Sequence, residues 1–164
     1  MNSAATAFAA RRAGSGMAIV WAGLTCGAMD ITAALVVYGL VYGVPPVHLL
    51  QGIAAGLLGR AAFQGGAATA ALGLFCQFVI AFGAAAVYFA LSRKISFLLR
   101  RAVVSGVLYG VAVYFFMQLV VVRYSAAVKY PFQLKLMIIG IVIHVFCVGL
   151  PIALMVRKYA TRYV

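Results

Sequence analysis

The sequence predicts an all-α integral membrane protein: a four-transmembrane-helix bundle with both termini cytoplasmic, in a single membrane domain spanning residues 1–164. Three observations carry this expectation. The chain is 67% hydrophobic and only 9% charged, whereas a soluble domain carries about 25% charged residues. Its mean hydropathy is +1.15, and the apolar residues gather into four runs, each long enough to cross about 30 Å of hydrocarbon at about 1.5 Å per residue. The 13 Lys and Arg lie in short groups between or beside those runs, as expected of loops that face anionic lipid headgroups. They form no basic stripe interleaved with exposed aromatics, so the formal charge of +12 points to the bilayer as partner and not to nucleic acid.

Taken in order, "MNSAATAFAARR" reads as a short cytoplasmic tail ending in Arg11 and Arg12. The apolar stretch after it exceeds the core of about 7–15 residues of a signal peptide, so the first helix is expected to be retained. The first span runs from about Met17 to Tyr42, and "GVPP" at 43–46 ends it, because proline lacks an amide donor and disfavours helix in the residue before it. "VHLLQGIAAGLLGR", about 47–60, is helical in pattern but too short to cross. It is expected to be a short interfacial or re-entrant helix on the far side, with His48 and Gln51 as a polar edge. Gly52, Gly56 and Gly59 would be a small face for close packing. "QGG" at 64–66 breaks the chain before the second span, about 67–91. A basic turn with Arg93, Lys94, Arg100 and Arg101 leads to the third, about 102–122, and the loop "RYSAAVKYPFQLK" to the fourth, about 136–156. Pro151, after Gly149, is the expected kink in the last span.

This arrangement assigns nine basic residues to one side, namely Arg11, Arg12, Arg93, Lys94, Arg100, Arg101, Arg157, Lys158 and Arg162. Four fall on the other: Arg60, Arg123, Lys129 and Lys135. The richer side, which holds both termini, is the expected cytoplasmic one. Tyr42, Tyr88, Tyr124, Tyr130 and Tyr159, near span ends, read as interfacial anchors. The halves also resemble each other. "GLTCG" (23–27) and "GVLYG" (106–110) open the odd spans, "LGLFCQF" (72–78) corresponds to "IGIVIHV" (139–145), and both even spans end in Arg-Lys. Such a two-hairpin internal repeat is of the parallel kind, and would place a site between the hairpins.

Asp30 is the sole acidic residue, and it lies inside the first span. Counted along their spans, Asp30 is the fourteenth residue, Gln77 the eleventh and His144 the ninth, so all three share one depth near mid-membrane. An ionised Asp at that depth costs about 2.5–3.5 kcal/mol on insertion scales and calls for a partner, a proton or water. His144 can share a proton with a carboxylate near neutral pH, and Gln77 can donate to the acid and accept from the imidazole. These three form the candidate intramembrane polar site. Accessory candidates are Gln118, nearer the outer side, and Cys26, Cys76 and Cys147 in the same layer.

Thiols, imidazole and carboxylate together could in principle ligate zinc or copper. Their spacing matches no ligand motif, however, and His48 and His144 lie at different depths, so neither metal nor haem is expected and no cofactor is implied. Three cysteines, all inside apolar runs, do not suggest a disulfide framework. No nucleophile has an activating base and acid beside it, so an enzyme is not expected. Two functions remain. One is proton-linked transport of a small solute or cation through the Asp30–Gln77–His144 site. The alternative is a structural or accessory membrane subunit whose polar layer fixes helix packing or the binding of a partner. In either case the glycine-rich helix faces suit a homo-oligomer or another membrane protein.

At "GAMDITAA", "LLQGIAAGLLGRAAFQGG" and "LGLFCQFVIAF" the chain resembles a family of small bacterial multi-pass inner-membrane proteins without an assigned activity. The likeness covers most of residues 20–90. It implies a multi-pass protein of the bacterial inner (cytoplasmic) membrane and supplies no substrate or catalytic residue. In that family a His commonly stands at the position of Gln77, so here a group that only exchanges hydrogen bonds replaces one that can carry a proton.

Overall fold

The computed structural model describes residues 3–129 and 132–160, with side chains over 16–129 and 132–159. The expectations placed on the side chains of Arg11, Arg12, Tyr130 and Arg162 fall outside these. All regular structure among the described residues is helical. Four stretches are long and apolar enough to cross a membrane: Gly16–Tyr42, Gly66–Ser92, Ala102–Val122 and Leu134–Tyr159. The chain is thus a multi-pass helical membrane protein. Its outer surface is the apolar one a lipid environment requires, with Phe75, Leu108, Leu119 and Phe146 each at least 60% exposed.

Helix α1 (Ser3–Tyr42) starts earlier than the expected span, because the preceding "SAATAFAARR" is rich in alanine, the strongest helix former. It stops at Gly43, whose φ of 65° lies in the left-handed region that side chains disfavour. Helix α2 (Pro46–Leu58) has its prolines at the N-terminal turn, where a missing amide donor costs nothing. A 3₁₀ turn over Gly59–Gln64 follows, then α3 (Gly66–Ser92). A single helical turn, α4 (Phe97–Arg100), leads to α5 (Ala102–Phe116), which continues as a π-helical turn over Met117–Val122. The last span is α6 (Leu134–Ile143), a π turn over His144–Gly149 and α7 (Leu150–Ala160). That second π turn lies directly before Pro151, whose ring opposes the carbonyl four residues earlier; the widened turn accommodates it.

Glycine and alanine determine how the spans approach. In the first hairpin, Gly23 and Gly27 of α1 receive the rings of Phe82 and Phe78 of α3. In the second, backbones meet: a Cβ at Gly110 would stand 2.6 Å from the carbonyl oxygen of His144, and one at Gly149 would strike the carbonyl of Gly106. Between the hairpins, the small residues Ala22 and Cys26 of α1 share a buried core with Val148, Ile152 and Val156 of the last span. The seam between α3 and α5 is different. Few backbone positions approach there, and side chains fill it. Tyr88 donates to Leu98 O at 3.0 Å and pairs with Ser105 Oγ at 2.8 Å, while Tyr109 donates to Ala84 O at 2.7 Å. Tyr88, read from sequence as an interfacial anchor, is in fact fully buried, because its hydroxyl finds these partners inside the bundle.

Helix α2 packs on α3 with Gln51, Ala54 and Ala55. Gln51 donates to Gly66 O and Thr69 Oγ1 at 3.0 and 3.3 Å. The glycine that permits this approach is Gly73 of α3, against Leu50 O; Gly52, expected on the packing face, is exposed with nothing within 4 Å. Gly56 and Gly59 instead face the loop after α5, where Ala126 N donates to Gly56 O at 3.0 Å.

Candidate functional site

Asp30 on α1 and Gln77 on α3 lie at one level of the first hairpin, one turn beyond the Gly27–Phe78 contact that brings the two helices together. Gln77 Nε2 donates to Asp30 Oδ2 at 2.7 Å, both groups being half-buried. This is a short amide–carboxyl hydrogen bond, and it engages Oδ2 alone. The two side chains, with His144, Cys26 and Met117, line a cavity of about 40 Å³ in the middle of the bundle. At roughly 10–15 Å³ per water, it has room for about three or four waters.

His144 opens the π turn of the last span. Its Nδ1 lies 2.8 Å from Gly140 O; a carbonyl only accepts, so Nδ1 carries the hydrogen and Nε2 is the acceptor in the neutral ring. The Tyr114 ring stands edge-on to it, with centroids 5.4 Å apart and planes at 80°. Among the described residues, then, His144 bonds to its own helix and Asp30 bonds to Gln77. The ring and the carboxylate share the cavity without being bonded to each other. Met117, which the sequence did not single out, opens the other π turn and also lines the cavity. Both wide turns thus begin at the site, where π turns are frequently found.

Of the accessory candidates, Cys26 lines the cavity and is buried. Cys76 and Cys147 are half-buried free thiols that do not line it, and Gln118 is exposed on the outward side of its π turn. No three His, Cys or Asp side chains among the described residues gather closely enough to hold a metal ion. His48 is remote from the cavity, its ring 4.6 Å from that of Phe63.

The cavity is polar at one end only. Along every helix that lines it, the residue nearest the α2 end of the bundle is a member of the polar layer or Met117: Asp30 on α1, Gln77 on α3, Met117 on α5 and His144 on the last span. From there it runs toward the end that holds both termini, between Cys26, Ala81, Ala84, Val113 and Val148. No family model, curated protein sequence or solved structure matches this chain, so the family likeness rests on the residues quoted for it.

Proposed function

We propose that this is a small bacterial inner-membrane protein that moves a small solute or cation in exchange for, or together with, a proton, and that Asp30 is its proton-binding group. The observation that carries the reading is the 2.7 Å bond from Gln77 to Asp30 on the wall of a small cavity among the four spans. A bond that served packing alone would be surrounded by protein, whereas this one adjoins space that can hold water, with an imidazole across it. Intramembrane acids in such settings mark ion and proton paths. Gln77 holds one carboxylate oxygen, Oδ1 remains to take the proton, and His144 Nε2 offers a second acceptor. Nine basic residues against four support cytoplasmic termini. The repeat is supported by Gly23/Gly27 and Gly106/Gly110, each of which closes its own hairpin; the Asp30–Gln77 bond itself lies within the first hairpin, with His144 facing the shared cavity from the second.

The test is flux in proteoliposomes under an imposed pH gradient. The wild type should acidify or alkalinise the lumen, and Asp30→Asn, an isosteric change that keeps a partner for Gln77, should abolish this while folding normally. Wild-type vesicles without flux would favour the accessory-subunit reading. That reading draws on Gly52 and Gly83, which face outward with nothing within 4 Å, and it would show as a defined oligomer or complex in native nanodiscs.

A further inference from the structure

The shape of the cavity indicates how the site is reached. From the polar layer it extends along α3 from Gln77 to Ala84, seven residues or about 10 Å, toward the end of the bundle that holds the termini. It extends no turn the other way. Beyond its polar end the Tyr114 ring fills the space over Gly140, and the α2 backbone lies against Gly73. At its apolar end lies Ala84, and the Tyr109 hydroxyl is bonded to the carbonyl of that residue at 2.7 Å.

The surrounding seams differ in what could open. Backbone-to-backbone contact at Gly106, Gly110 and Gly149 closes α5 against the last span. Buried small side chains close α1 against the last span, and Phe78 and Phe82 fill the glycine notches between α1 and α3. Only between α3 and α5 is the barrier made of two hydroxylated rings. Tyr109 and Tyr88 meet edge-on at 5.0 Å, each bonding across to the opposite helix. A side chain held by one hydrogen bond can rotate, whereas packed backbones must separate. On the far side of the rings, Ser105 Oγ lies 3.0 Å from Leu98 O and 3.1 Å from Arg101 O, so a polar path to the loop before α5 begins there.

We propose that Tyr109 is the gate of the buried site. When its hydroxyl leaves the Ala84 carbonyl and the ring swings from Tyr88, water and protons pass along the α3–α5 seam between the Asp30 cavity and the end of the bundle that carries the termini. This rests on the reading of Asp30, Gln77 and His144 as a working site, and it makes Tyr109 a positioning residue that controls access without touching the cargo.

Cys26, on the cavity wall, reports access directly. In a Cys76→Ala, Cys147→Ala background, a small membrane-impermeant methanethiosulfonate is added to one or the other face of oriented vesicles, and Ser96→Cys in the loop before α4 marks the termini-bearing side. Cys26 should react slowly in this background. With Tyr109→Phe, which removes the latch and keeps the ring, it should react up to about tenfold faster, the effect of one buried hydrogen bond. With Tyr109→Ala the increase should be larger, in both cases only from the side marked by Ser96→Cys. Unchanged rates in both variants, or acceleration from the opposite side, would overturn the gate. Should Tyr109→Ala misfold, Tyr109→Phe decides. The gate is read as the ratio of Cys26 rates between Tyr109→Phe and its parent, and transport as the flux lost in Asp30→Asn, so loss of the transport reading appears in flux and loss of the gate appears in labelling.

Discussion

The Asp30–Gln77 bond joins one carboxyl to one amide across two helices. Gln77→Leu removes the only hydrogen-bond donor to the carboxylate among the described residues and should destabilise the folded state by about 1–3 kcal/mol, the cost of leaving a buried group unpaired. Denaturant unfolding in micelles measures this. A double-mutant cycle of Asp30→Leu with Gln77→Leu, each of which removes the bond, should return a coupling of about 0.6 kcal/mol and no more than about 1.7; zero coupling would show that the bond contributes nothing to packing. Asp30, Gln77 and His144 were legible as one layer because depth in a spanning helix follows from counting residues, and each has a polar group that stands out against an apolar run. The hydrogen bond of His144 was within reach too, since Gly140 lies one turn earlier on the same helix. Met117 was not legible, because a thioether in an apolar span has no signature. Tyr88 and Tyr109 were obscured for another reason: a tyrosine near a span end can anchor at the headgroups or turn inward, and only the position of Ala84 O, Leu98 O and Ser105 Oγ decides.

At the level of elements, close approach at glycine governs pairing. Gly110→Val would force a side chain against the backbone of His144 and Val145, whose nearest atoms stand 2.6 and 2.7 Å from the first carbon alone. Backbone cannot yield as a side-chain tip can, so a loss of at least about 1–3 kcal/mol is expected, read as a lower midpoint in the same unfolding assay. Gly83→Ala, into open space, should leave the midpoint unchanged. The small-xxx-small spacing in "GLTCG" and "GVLYG" announced these contacts, but their partners could not be read: Gly149 is a single glycine in an apolar run, and the phenylalanines facing Gly23 and Gly27 look like any lipid-facing ring. The same limit explains α2. Its three glycines suggested a packing face, yet burial falls on Gln51, Ala54 and Ala55, one helical stripe at spacings of three and four, because the notch they need is Gly73 on the other helix. Of the two π turns, Pro151 marked the one before it, while nothing in "MQLVVV" marks the other.

For the whole molecule, four spans follow from run length and composition, and these survive folding because lipid leaves a chain few alternatives to complete helices. A single crossing, Ala102–Val122, separates Ser96 from Ala126 and places them on opposite faces of the membrane. Cysteines introduced at these two exposed positions should label from opposite sides, with Ser96→Cys reacting from the cytoplasm; labelling of both from one side would refute the topology. Access from one end, as proposed, has an electrical consequence. With Asp30 near the middle of its span and reached, as proposed, along the α3–α5 seam, a charge arriving there would have crossed roughly half of the voltage drop. At about 2.3 kcal/mol per charge for each 100 mV across the whole membrane, the potential contributes about 1 kcal/mol to filling or emptying the site. Occupancy of the carboxylate would then follow membrane voltage even with equal pH on both faces.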